Sequence, residues 1–390
     1  MKSFQSSQML KQLPDQFFAK LVGKVARLSA SGYDVINLGQ GSPDQPTPRH
    51  VIDALKRAAD NPLYHKYSPF QGHDFLKEAI AEFYKREYGV PIDPESEVAI
   101  LYGGKSGLVE VSQCLLNPGD TALVPDPGYP DYWSGISMAK GRMSFMPLRE
   151  SHVFLPDYDA LSVKVLNQAK MMFLNYPGNP TGAVATPEFF AETVQIADRW
   201  NICVVHDFAY GAIGFDDKKP VSFLQTPGAK ETGIEIYTLS KSYNMAGWRV
   251  GFALGNPSVI KSINLIQDHL FVSLFGAVQE AAKAALLGPQ DCVRDLVQMY
   301  ESRRNTLIGG LRNIGWEVDY PKGSFFTWFP VPSGFTSESF SDLLLSKAHI
   351  AVAPGIGFGK EGDSYVRAGL LAGEDRLLEM VERIKKLKLF

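Results

Sequence analysis

The stretch EIYTLSKSYNMAGWRVGFAL, residues 235–254, carries the pattern that decides the fold of this chain. An apolar run that is typical of a β-strand, 234–239, ends at the Ser-Lys pair that contains Lys241. Eight residues after Lys241, Arg249 opens a second apolar run, 250–254. Because lysine is almost never fully buried without a partner, a lysine at the end of a buried strand indicates a special role.

Around this stretch, short apolar runs alternate with helix-length segments from about residue 92 to residue 254. The runs are VAIL (98–101), ALV (122–124), MMFLN (171–175), ICVVHD (202–207), EIYTL (235–239) and VGFAL (250–254). Continuous apolar strands separated by helices predict an α/β fold, with a mainly parallel sheet covered on both faces. In such sheets ligands bind at the carboxyl ends of the strands.

The pattern changes near Cys292, where long helical segments separate short strand-like runs. Residues 292–315 predict a helix that ends at Gly315, and residues 373–387 predict a last helix. These features are typical of a smaller α+β domain, against which the N-terminal residues are expected to pack. The predicted division is an N-terminal segment at 1–45, a large ligand-binding domain at 46–290 and a small domain at 291–390.

Composition and charge exclude several classes of protein. The 390 residues are 45% hydrophobic and carry a net charge of −3, from 39 basic and 42 acidic side chains. This near-balance gives no support for a nucleic-acid or acidic-membrane partner. The N-terminus lacks the apolar run of a signal peptide, and no run approaches the roughly 20 residues of a membrane helix. Cys114, Cys203 and Cys292 form no close pair, so we expect them reduced in a cytoplasmic protein.

Several side chains that could hold a ligand follow the predicted strands. Gly103 and Gly104 of GGKSG lie between a strand and a helix, where backbone N–H groups attract an anion. An ordinary glycine turn is an equally good interpretation, and no GxGxxG or Walker pattern accompanies it. Asp207 either caps the next helix or faces a cationic ligand nitrogen. His206 is expected to lie in the core or behind the site, and no cluster predicts a metal.

The residues around Lys241 add the remaining chemistry. Shielding from water or a neighbouring cation lowers the pKa of a lysine amine and suits it to Schiff-base formation. Thr238 and Ser240 offer hydroxyls to an anion, and Arg249 offers a planar cation that matches a phosphate. A phosphate site, a carboxylate for a ring nitrogen and an amine for an aldehyde together predict pyridoxal 5′-phosphate (PLP) as the cofactor.

These motifs resemble those of the fold-type-I, class I and II aminotransferases, and the match spans nearly the whole chain. LNYPGNPTGAV (174–184), VVHDFAYGAI (204–213) and TLSKSYNMAGWRVGF (238–252) occur in the family's order. Thr238 stands where many members have serine, which keeps the hydroxyl. The resemblance implies a mostly parallel seven-stranded sheet flanked by helices in the large PLP-binding domain, with the small domain formed from the N-terminal segment and the C-terminal third.

The resemblance also implies a catalytic role for each matching residue. Lys241 would form the Schiff base with the cofactor and then act as the base of the reaction. Asp207 would hold the ring nitrogen protonated. Asn179 and Tyr210 would hydrogen-bond the phenolic oxygen of the ring, and Tyr129 would stack on it. Without the family match, Asn179 would be read as a turn residue and Tyr129 as a packed aromatic.

The remaining matches concern the phosphate, the partner subunit and the substrate. The implied phosphate ligands are Gly104 and Lys105 through backbone N–H groups, with Thr238, Ser240 and Arg249. Tyr67 in KYSPFQG matches a tyrosine that reaches the phosphate of the neighbouring subunit, so it implies a homodimer with shared active sites; packing at an edge is the alternative. Arg367 in SYVRAGL would grip the substrate α-carboxylate, with Gly41 and Asn179 beside it.

The side-chain pocket is less clear. Its candidate lining residues are apolar, namely Phe17, Phe18, Phe271, Leu274 and Phe275. They indicate either an apolar substrate pocket or part of a core. The segment QDHLFVSLFGAVQEAA that holds three of them contains no arginine for a distal carboxylate.

Three segments narrow the resemblance to the bacillus-type aminotransferases of methionine salvage: NLGQGSPDQPTP, LVPDPGYPDYWSG and QDHLFVSLFGAVQEAA. Those enzymes convert 4-methylthio-2-oxobutanoate to methionine, whose thioether suits an aromatic pocket. An enzyme for aspartate, alanine or LL-diaminopimelate is the alternative, and PLP-dependent C–S lyases share the same cofactor residues.

A transcription regulator with an aminotransferase-like domain is disfavoured, because the strand-type run DVINL already begins at residue 34 and leaves no room for a DNA-binding domain.

Overall fold

Strands and helices alternate through the centre of the chain in a computed structural model, which describes residues 2–14 and 17–390, and of Phe17 the backbone alone. The strands are β1 (Ile36–Asn37), β2 (Val98–Leu101), β3 (Thr121–Asp126), β4 (Arg142–Pro147), β5 (Ala169–Asn175), β6 (Cys203–Asp207), β7 (Gly233–Thr238), β8 (Gly251–Gly255), β9 (Phe326–Pro330), β10 (Ile350–Ala351), β11 (Ala353–Pro354) and β12 (Tyr365–Gly369). The helices are α1 (Gln8–Lys11), α2 (Phe17–Ala30), α3 (Arg49–Ala59), α4 (Asp74–Tyr88), α5 (Gly104–Leu115), α6 (Asp131–Met138), α7 (Val163–Gln168), α8 (Pro187–Trp200), α9 (Ala229–Thr232), α10 (Leu239–Ser242), α11 (Pro257–Leu270), α12 (Gly276–Leu287), α13 (Asp291–Asn313), α14 (Ser337–Leu343) and α15 (Glu374–Lys385).

A seven-stranded sheet dominates the structure, in the order β2-β8-β7-β6-β5-β3-β4. The strands β3 to β7 run parallel, and β8 runs antiparallel to both of its neighbours. Every residue of β2, β3, β7 and β8 is buried, as continuous apolar runs predict. The predicted α/β fold with a mostly parallel seven-stranded sheet is therefore confirmed.

Helices cover both faces of this sheet. Because successive strand residues point to opposite faces, Met172 and Tyr237 pack with α4, α8 and α12, whereas Phe173 and Ile236 pack with α5, α6 and α11. None of the helices in the described part of the chain combines the length and apolar character that a membrane crossing requires.

The C-terminal third forms a second core together with the N-terminal segment. The strand β1 pairs in parallel with β10, where Ile36 lies opposite Ile350, and β11, β12 and β9 form an antiparallel sheet. Ile36 and Leu38 belong to one apolar cluster with α13 and α15. The limits of the three segments at 1–45, 46–290 and 291–390 stay a prediction.

Candidate active site

A cavity of about 470 Å³ lies at the carboxyl ends of β5, β6 and β7. The predicted site residues that line it are Gly41, Gly104, Lys105, Tyr129, Asn179, Asp207, Tyr210, Thr238, Ser240, Lys241, Arg249 and Arg367. Tyr67, whose predicted role is in the partner subunit, does not line it. The fold thus brings together side chains from the N-terminal segment, the large sheet and the C-terminal third.

Lys241 lies on α10, the short helix that follows β7 directly. The hydroxyl of Thr238 caps this helix by accepting the backbone N–H of Ser240 at 3.2 Å. The Nζ atom of Lys241 donates a hydrogen bond to the carbonyl oxygen of Gly41 at 2.8 Å. Burial lowers the pKa of Lys241 to about 8, and the positive charges of nearby arginines act in the same direction. The amine is therefore closer to its uncharged, nucleophilic form than an exposed lysine.

Asp207 is the last residue of β6 and has 5% of its surface exposed. Its Oδ2 atom accepts a hydrogen bond from the hydroxyl of Tyr132 at 2.8 Å, and Oδ1 accepts the backbone N–H of Ala209 at 3.2 Å. Burial raises the pKa of Asp207 to about 6, and the hydrogen bond from Tyr132 opposes this rise. The side-chain amide of Asn175 fixes the strand end by donating to the Asp207 carbonyl oxygen at 2.8 Å. A carboxylate held in this way can pair with a protonated ring nitrogen.

One end of the cavity is suited to an anion. The guanidinium of Arg249 donates to two backbone carbonyls at 2.9 and 3.2 Å, which hold it beside the start of α5. Gly103, whose φ is +79°, permits this approach, because a Cβ there would lie 2.4 Å from a guanidinium nitrogen. The hydroxyls of Thr238 and Ser240 are 2.8 Å apart and line the same cavity. A helix N-terminus, two hydroxyls and a guanidinium together can bind a phosphate.

Arg367 lies on β12 with 3% of its surface exposed. Its Nη1 atom donates to Oδ1 of Asn179 at 2.7 Å, and Nη2 donates to the carbonyl oxygen of Gly39 at 2.8 Å. The guanidinium carbon lies 3.9 Å from the ring centre of Phe326. Burial lowers the pKa of Arg367 to about 10, which leaves it charged at neutral pH. Its buried Nε atom has no hydrogen-bond partner among the described residues. Such a guanidinium is suited to a substrate carboxylate.

Two tyrosines and a lysine complete the predicted set. Burial raises the pKa of Tyr210, so its hydroxyl keeps its proton and can donate a hydrogen bond. The ring of Tyr129 lies edge-to-face against that of Tyr132, with 5.8 Å between ring centres. The side chain of Lys105 forms an ion pair with Asp131 at 2.9 Å, while its backbone lies in the first turn of α5.

Comparison with known proteins identifies the family of this chain. A family model described as aminotransferase class I and II matches residues 33–384. The chain belongs to this family. A Bacillus subtilis relative, L-glutamine--4-(methylsulfanyl)-2-oxobutanoate aminotransferase, is 65% identical over 99% of this chain and 97% of its own length. An LL-diaminopimelate aminotransferase of Moorella thermoacetica is 44% identical over 98% of both chains. The solved structure of substrate-bound BacF from B. subtilis matches with a TM-score of 0.95 and 49% identity, covering 100% of this chain and 98% of that one.

Aminotransferases of this family use PLP, and the donor set of this site fits that cofactor. In this chain Asp207 offers a carboxylate to the ring nitrogen of the cofactor, and Lys241 offers an amine to its aldehyde. The glycine at 103 leaves the space that Arg249 needs at the anion end. When bound, PLP supplies an electron-accepting ring that stabilises negative charge on the substrate Cα. The enzyme moves an amino group between an amino acid and a 2-oxo acid.

The sequence left some residues of the aminotransferase site unassigned. Tyr132 and Asn175 hold Asp207, and Phe326 stacks on Arg367. A signal existed for Asn175, because it ends the run MMFLN as Asp207 ends the run ICVVHD. No local pattern distinguished Tyr132 or Phe326 from an ordinary packed aromatic.

Of the residues predicted to line the substrate side-chain pocket, some line the cavity and others lie in the core or at the surface. Phe18 lines the cavity, and the side chain of Phe17 lies outside the described residues. Phe271 packs edge-to-face on Tyr102, with ring centres 4.6 Å apart. Leu274 is buried in the large core, and Phe275 is 42% exposed. Within one chain, the segment 267–282 therefore supplies core and surface, and none of its predicted residues lines the cavity.

Proposed function

We propose that this aminotransferase transfers the amino group of L-glutamine to 4-methylthio-2-oxobutanoate and so forms methionine. The observation that carries the proposal is the 65% identity to the B. subtilis enzyme of that activity, across 99% of this chain. The apolar part of the cavity supports it, because Phe18, Val22, Leu108 and Phe326 can surround a thioether side chain.

Within this proposal, Lys241 and Asp207 perform the chemistry of the site. Lys241 would hold the aldehyde carbon of the bound cofactor through its amine, and after the substrate amine has taken its place there, the released amine would take the proton from the substrate Cα. Its low pKa and its fixed hydrogen bond to Gly41 support this role. Asp207 keeps the ring nitrogen protonated. Tyr210 and Asn179 donate hydrogen bonds to the phenolic oxygen of the cofactor.

The remaining residues bind and orient. Backbone N–H groups of Gly104 and Lys105, with Thr238, Ser240 and Arg249, are assigned to the phosphate. Tyr129 is assigned to the face of the cofactor ring. Arg367 binds the α-carboxylate in the region of Gly41 and Asn179. The stacked Phe326 ring fixes the plane of its guanidinium, and its buried Nε atom has no hydrogen-bond partner among the described residues.

The proposal includes a homodimer located in the cytoplasm. Five large apolar side chains on two adjoining segments are exposed by 42–91%: Leu63, Tyr67, Phe70, Leu270 and Phe275. The hydroxyl of Ser68 donates to the carbonyl oxygen of Leu274 at 2.8 Å, which joins the two segments. A contiguous exposed apolar patch is typical of a protein interface. Tyr67, 91% exposed in one chain, is assigned to the phosphate of the partner subunit.

LL-diaminopimelate is the second candidate substrate, because an aminotransferase for it is 44% identical over 98% of this chain. Its distal amino-acid group needs polar partners. Among the cavity-lining residues of the described chain the cations are Lys105, Lys241, Arg249 and Arg367. Since Lys105 already pairs with Asp131 and the others have proposed roles, this cavity favours the apolar substrate.

The test is to mix the purified, cofactor-loaded enzyme in turn with glutamine, methionine, aspartate and LL-diaminopimelate, and to record its visible absorbance. Each productive donor bleaches the band of the bound cofactor without a second substrate. We expect bleaching by glutamine and methionine and none by aspartate or diaminopimelate. Bleaching by diaminopimelate alone would replace the proposal with the second candidate. Lys241→Ala is the control, and it should show neither the band nor transfer.

A further inference from the structure

A second group of buried polar side chains lies behind the site, on the opposite face of the same sheet. His206 on β6 and Glu235 on β7 stand opposite each other in register, and neither has exposed surface. Nδ1 of His206 is 2.7 Å from a Glu235 carboxylate oxygen, and Nε2 is 3.0 Å from the carbonyl oxygen of Tyr176. The proposed reaction assigns nothing to either residue.

The hydrogen-bond partners determine where the protons of this pair lie. A backbone carbonyl only accepts, so Nε2 of His206 carries a proton. The Glu235 carboxylate accepts the hydroxyls of Tyr84 at 2.8 Å and Ser222 at 2.6 Å, and the backbone N–H of Phe223 at 2.8 Å. Three donors favour the ionised carboxylate, which leaves Nδ1 as a second donor. Both ring nitrogens of His206 therefore face acceptors, an arrangement that an imidazolium beside a carboxylate satisfies in full.

The position of this imidazolium relates it to the site. His206 and Asp207 are consecutive on β6, so their side chains lie on opposite faces of the strand. The ring of His206 packs among aromatic rings, 5.0 Å from Phe190 and 5.1 Å from Phe208 between ring centres. Burial raises the pKa of Asp207, whereas its hydrogen bond from Tyr132 and the positive charge of His206 lower it. In so apolar a setting water screens the charge of His206 only weakly.

Other ionisable groups surround the His206–Glu235 pair and Asp207, and they come from every element packed against these three residues. Around the His206–Glu235 pair they are Tyr84 and Tyr88 of α4 and Tyr237 of β7, and around Asp207 they are Tyr129, Asp131, Tyr132, Tyr210 and Lys241. Burial raises the pKa of every tyrosine in this set, so these phenols are neutral across the pH range of a binding experiment. Two of the groups around Asp207 and its neighbours titrate in that range: Asp207 itself, whose pKa is raised to about 6, and Lys241, whose pKa is lowered to about 8.

We infer that the His206–Glu235 pair is a positioning element that keeps the Asp207 carboxylate ionised from the reverse face of the sheet, and so strengthens its hold on the ring nitrogen of the cofactor. The pair also ties β6 to β7 and to the residue that follows β5, which fixes the strand end that carries Asp207. This inference rests on the proposed role of Asp207.

The test measures the dissociation constant of PLP from the full-length apoprotein between pH 5 and pH 9, by visible absorbance. As pH falls, a first step at about pH 8 reports the charging of Lys241, and a second decline in affinity at about pH 6 reports proton uptake by Asp207. The midpoint that is compared between variants is this second, acid-side one. In His206→Gln the positive charge is gone, so Asp207 binds its proton at a higher pH and the midpoint moves upward by roughly one unit. At pH values well below both midpoints, one unit corresponds to an affinity about tenfold weaker.

Because replacement of a fully buried side chain can prevent folding, Glu235→Gln is the second variant. It has nearly the same shape, and it removes the carboxylate that favours the charged form of His206. We therefore expect the midpoint to move in the same direction as in His206→Gln, and the double variant to show no larger shift. The matched control is His50→Gln, since the Nε2 atom of His50 has no hydrogen-bond partner among the described residues and should cause no shift.

Two outcomes would overturn the inference, and they are distinguishable. If Asp207→Asn weakens PLP binding, but the folded His206→Gln and Glu235→Gln proteins keep the wild-type midpoint, the pair has a structural role only. If Asp207→Asn itself binds PLP with wild-type affinity and pH dependence, the proposed role of Asp207 fails and the inference fails with it. Far-UV circular dichroism and the melting temperature establish that each variant is folded.

Discussion

Lys241 lies in surroundings that disfavour its ammonium form. Burial is the main cause of its lowered pKa, and the guanidinium groups of Arg367 and Arg249 add repulsion, while Asp207 opposes them. A lysine with an ordinary pKa of 10.5 would be almost fully protonated at neutral pH, and so a poor nucleophile. The fold thus converts a common surface residue into a reactive amine.

The lowered pKa of Lys241 has a measurable consequence, which is the pH dependence of cofactor attachment. Only the uncharged amine reacts with an aldehyde, so the rate at which apoprotein takes up PLP should rise with pH through a midpoint at about 8. Stopped-flow absorbance measures this rate. Arg367→Gln removes one repelling charge without touching the phosphate end, and should move the midpoint upward. A wild-type midpoint near the ordinary 10.5 would contradict this account of Lys241.

At the scale of elements, the site depends on where strands end and helices begin. The N-terminus of α5 follows β2 through a turn that contains Gly103, whose backbone adopts a φ of +79°. This conformation favours glycine, and the missing side chain lets the guanidinium of Arg249 lie against the turn. The anion end of the cavity is therefore a property of the strand–turn–helix unit as much as of Arg249.

Gly103→Ala tests this property against a matched glycine. Gly89, at the end of α4, also has a positive φ of +69°, but no atom lies within 4 Å of the place where its Cβ would be. Both alanine variants should lose about 1–3 kcal/mol of stability, because a residue with a Cβ rarely adopts a positive φ. Only Gly103→Ala should also weaken PLP binding, by about tenfold or more, because it displaces a charged hydrogen-bond donor.

Urea unfolding measures the loss of stability in the two glycine variants, and PLP titration measures their affinity for the cofactor. Equal PLP affinity in the two variants would show that the space beside Arg249 is irrelevant to the cofactor. A large loss of affinity in Gly89→Ala would show that backbone strain anywhere in the domain suffices.

At the scale of the whole molecule, one surface is left without an apolar covering. Leu63, Tyr67, Phe70, Leu270 and Phe275 are exposed in the single chain. The rings of His65 and Phe275 lie 5.9 Å apart between centres, so the segments on which these residues lie adjoin. Exposed apolar area of this kind favours association by the hydrophobic effect.

The proposed homodimer predicts a solution mass of twice the 43.0 kDa of one chain, measured by light scattering. Phe275→Asp places a charge in the patch and should shift the protein to monomer, with weaker PLP binding because Tyr67 of the partner is lost. Val163→Asp is the control, since Val163 is 62% exposed on the separate helix α7 and should leave the mass unchanged. A wild-type monomer with full PLP affinity would refute the shared site.

The seven-stranded sheet and most of the site follow from local features of the sequence. Strands such as β6 and β7 are short apolar runs, and their last residues carry the polar groups of the site, as Asp207 and Thr238 do. These signals are short-range, because apolar periodicity and the position of a residue at a strand end are visible within a few neighbouring residues. The same reasoning identified Lys241 and Arg249, which flank a turn between two strands.

The sequence alone was enough to predict the fold class and the cofactor, and it predicted most of the residues that line the cavity. What holds those residues in place is visible only in the folded chain, where Tyr132 reaches Asp207 across 75 positions and Glu235 of the neighbouring strand hydrogen-bonds His206. The tertiary structure also decided that Leu274 is core and that Phe18 lines the cavity. The physical reason is that an aromatic or carboxylate side chain has the same local pattern in a core as in a site, and only long-range packing shows what it touches.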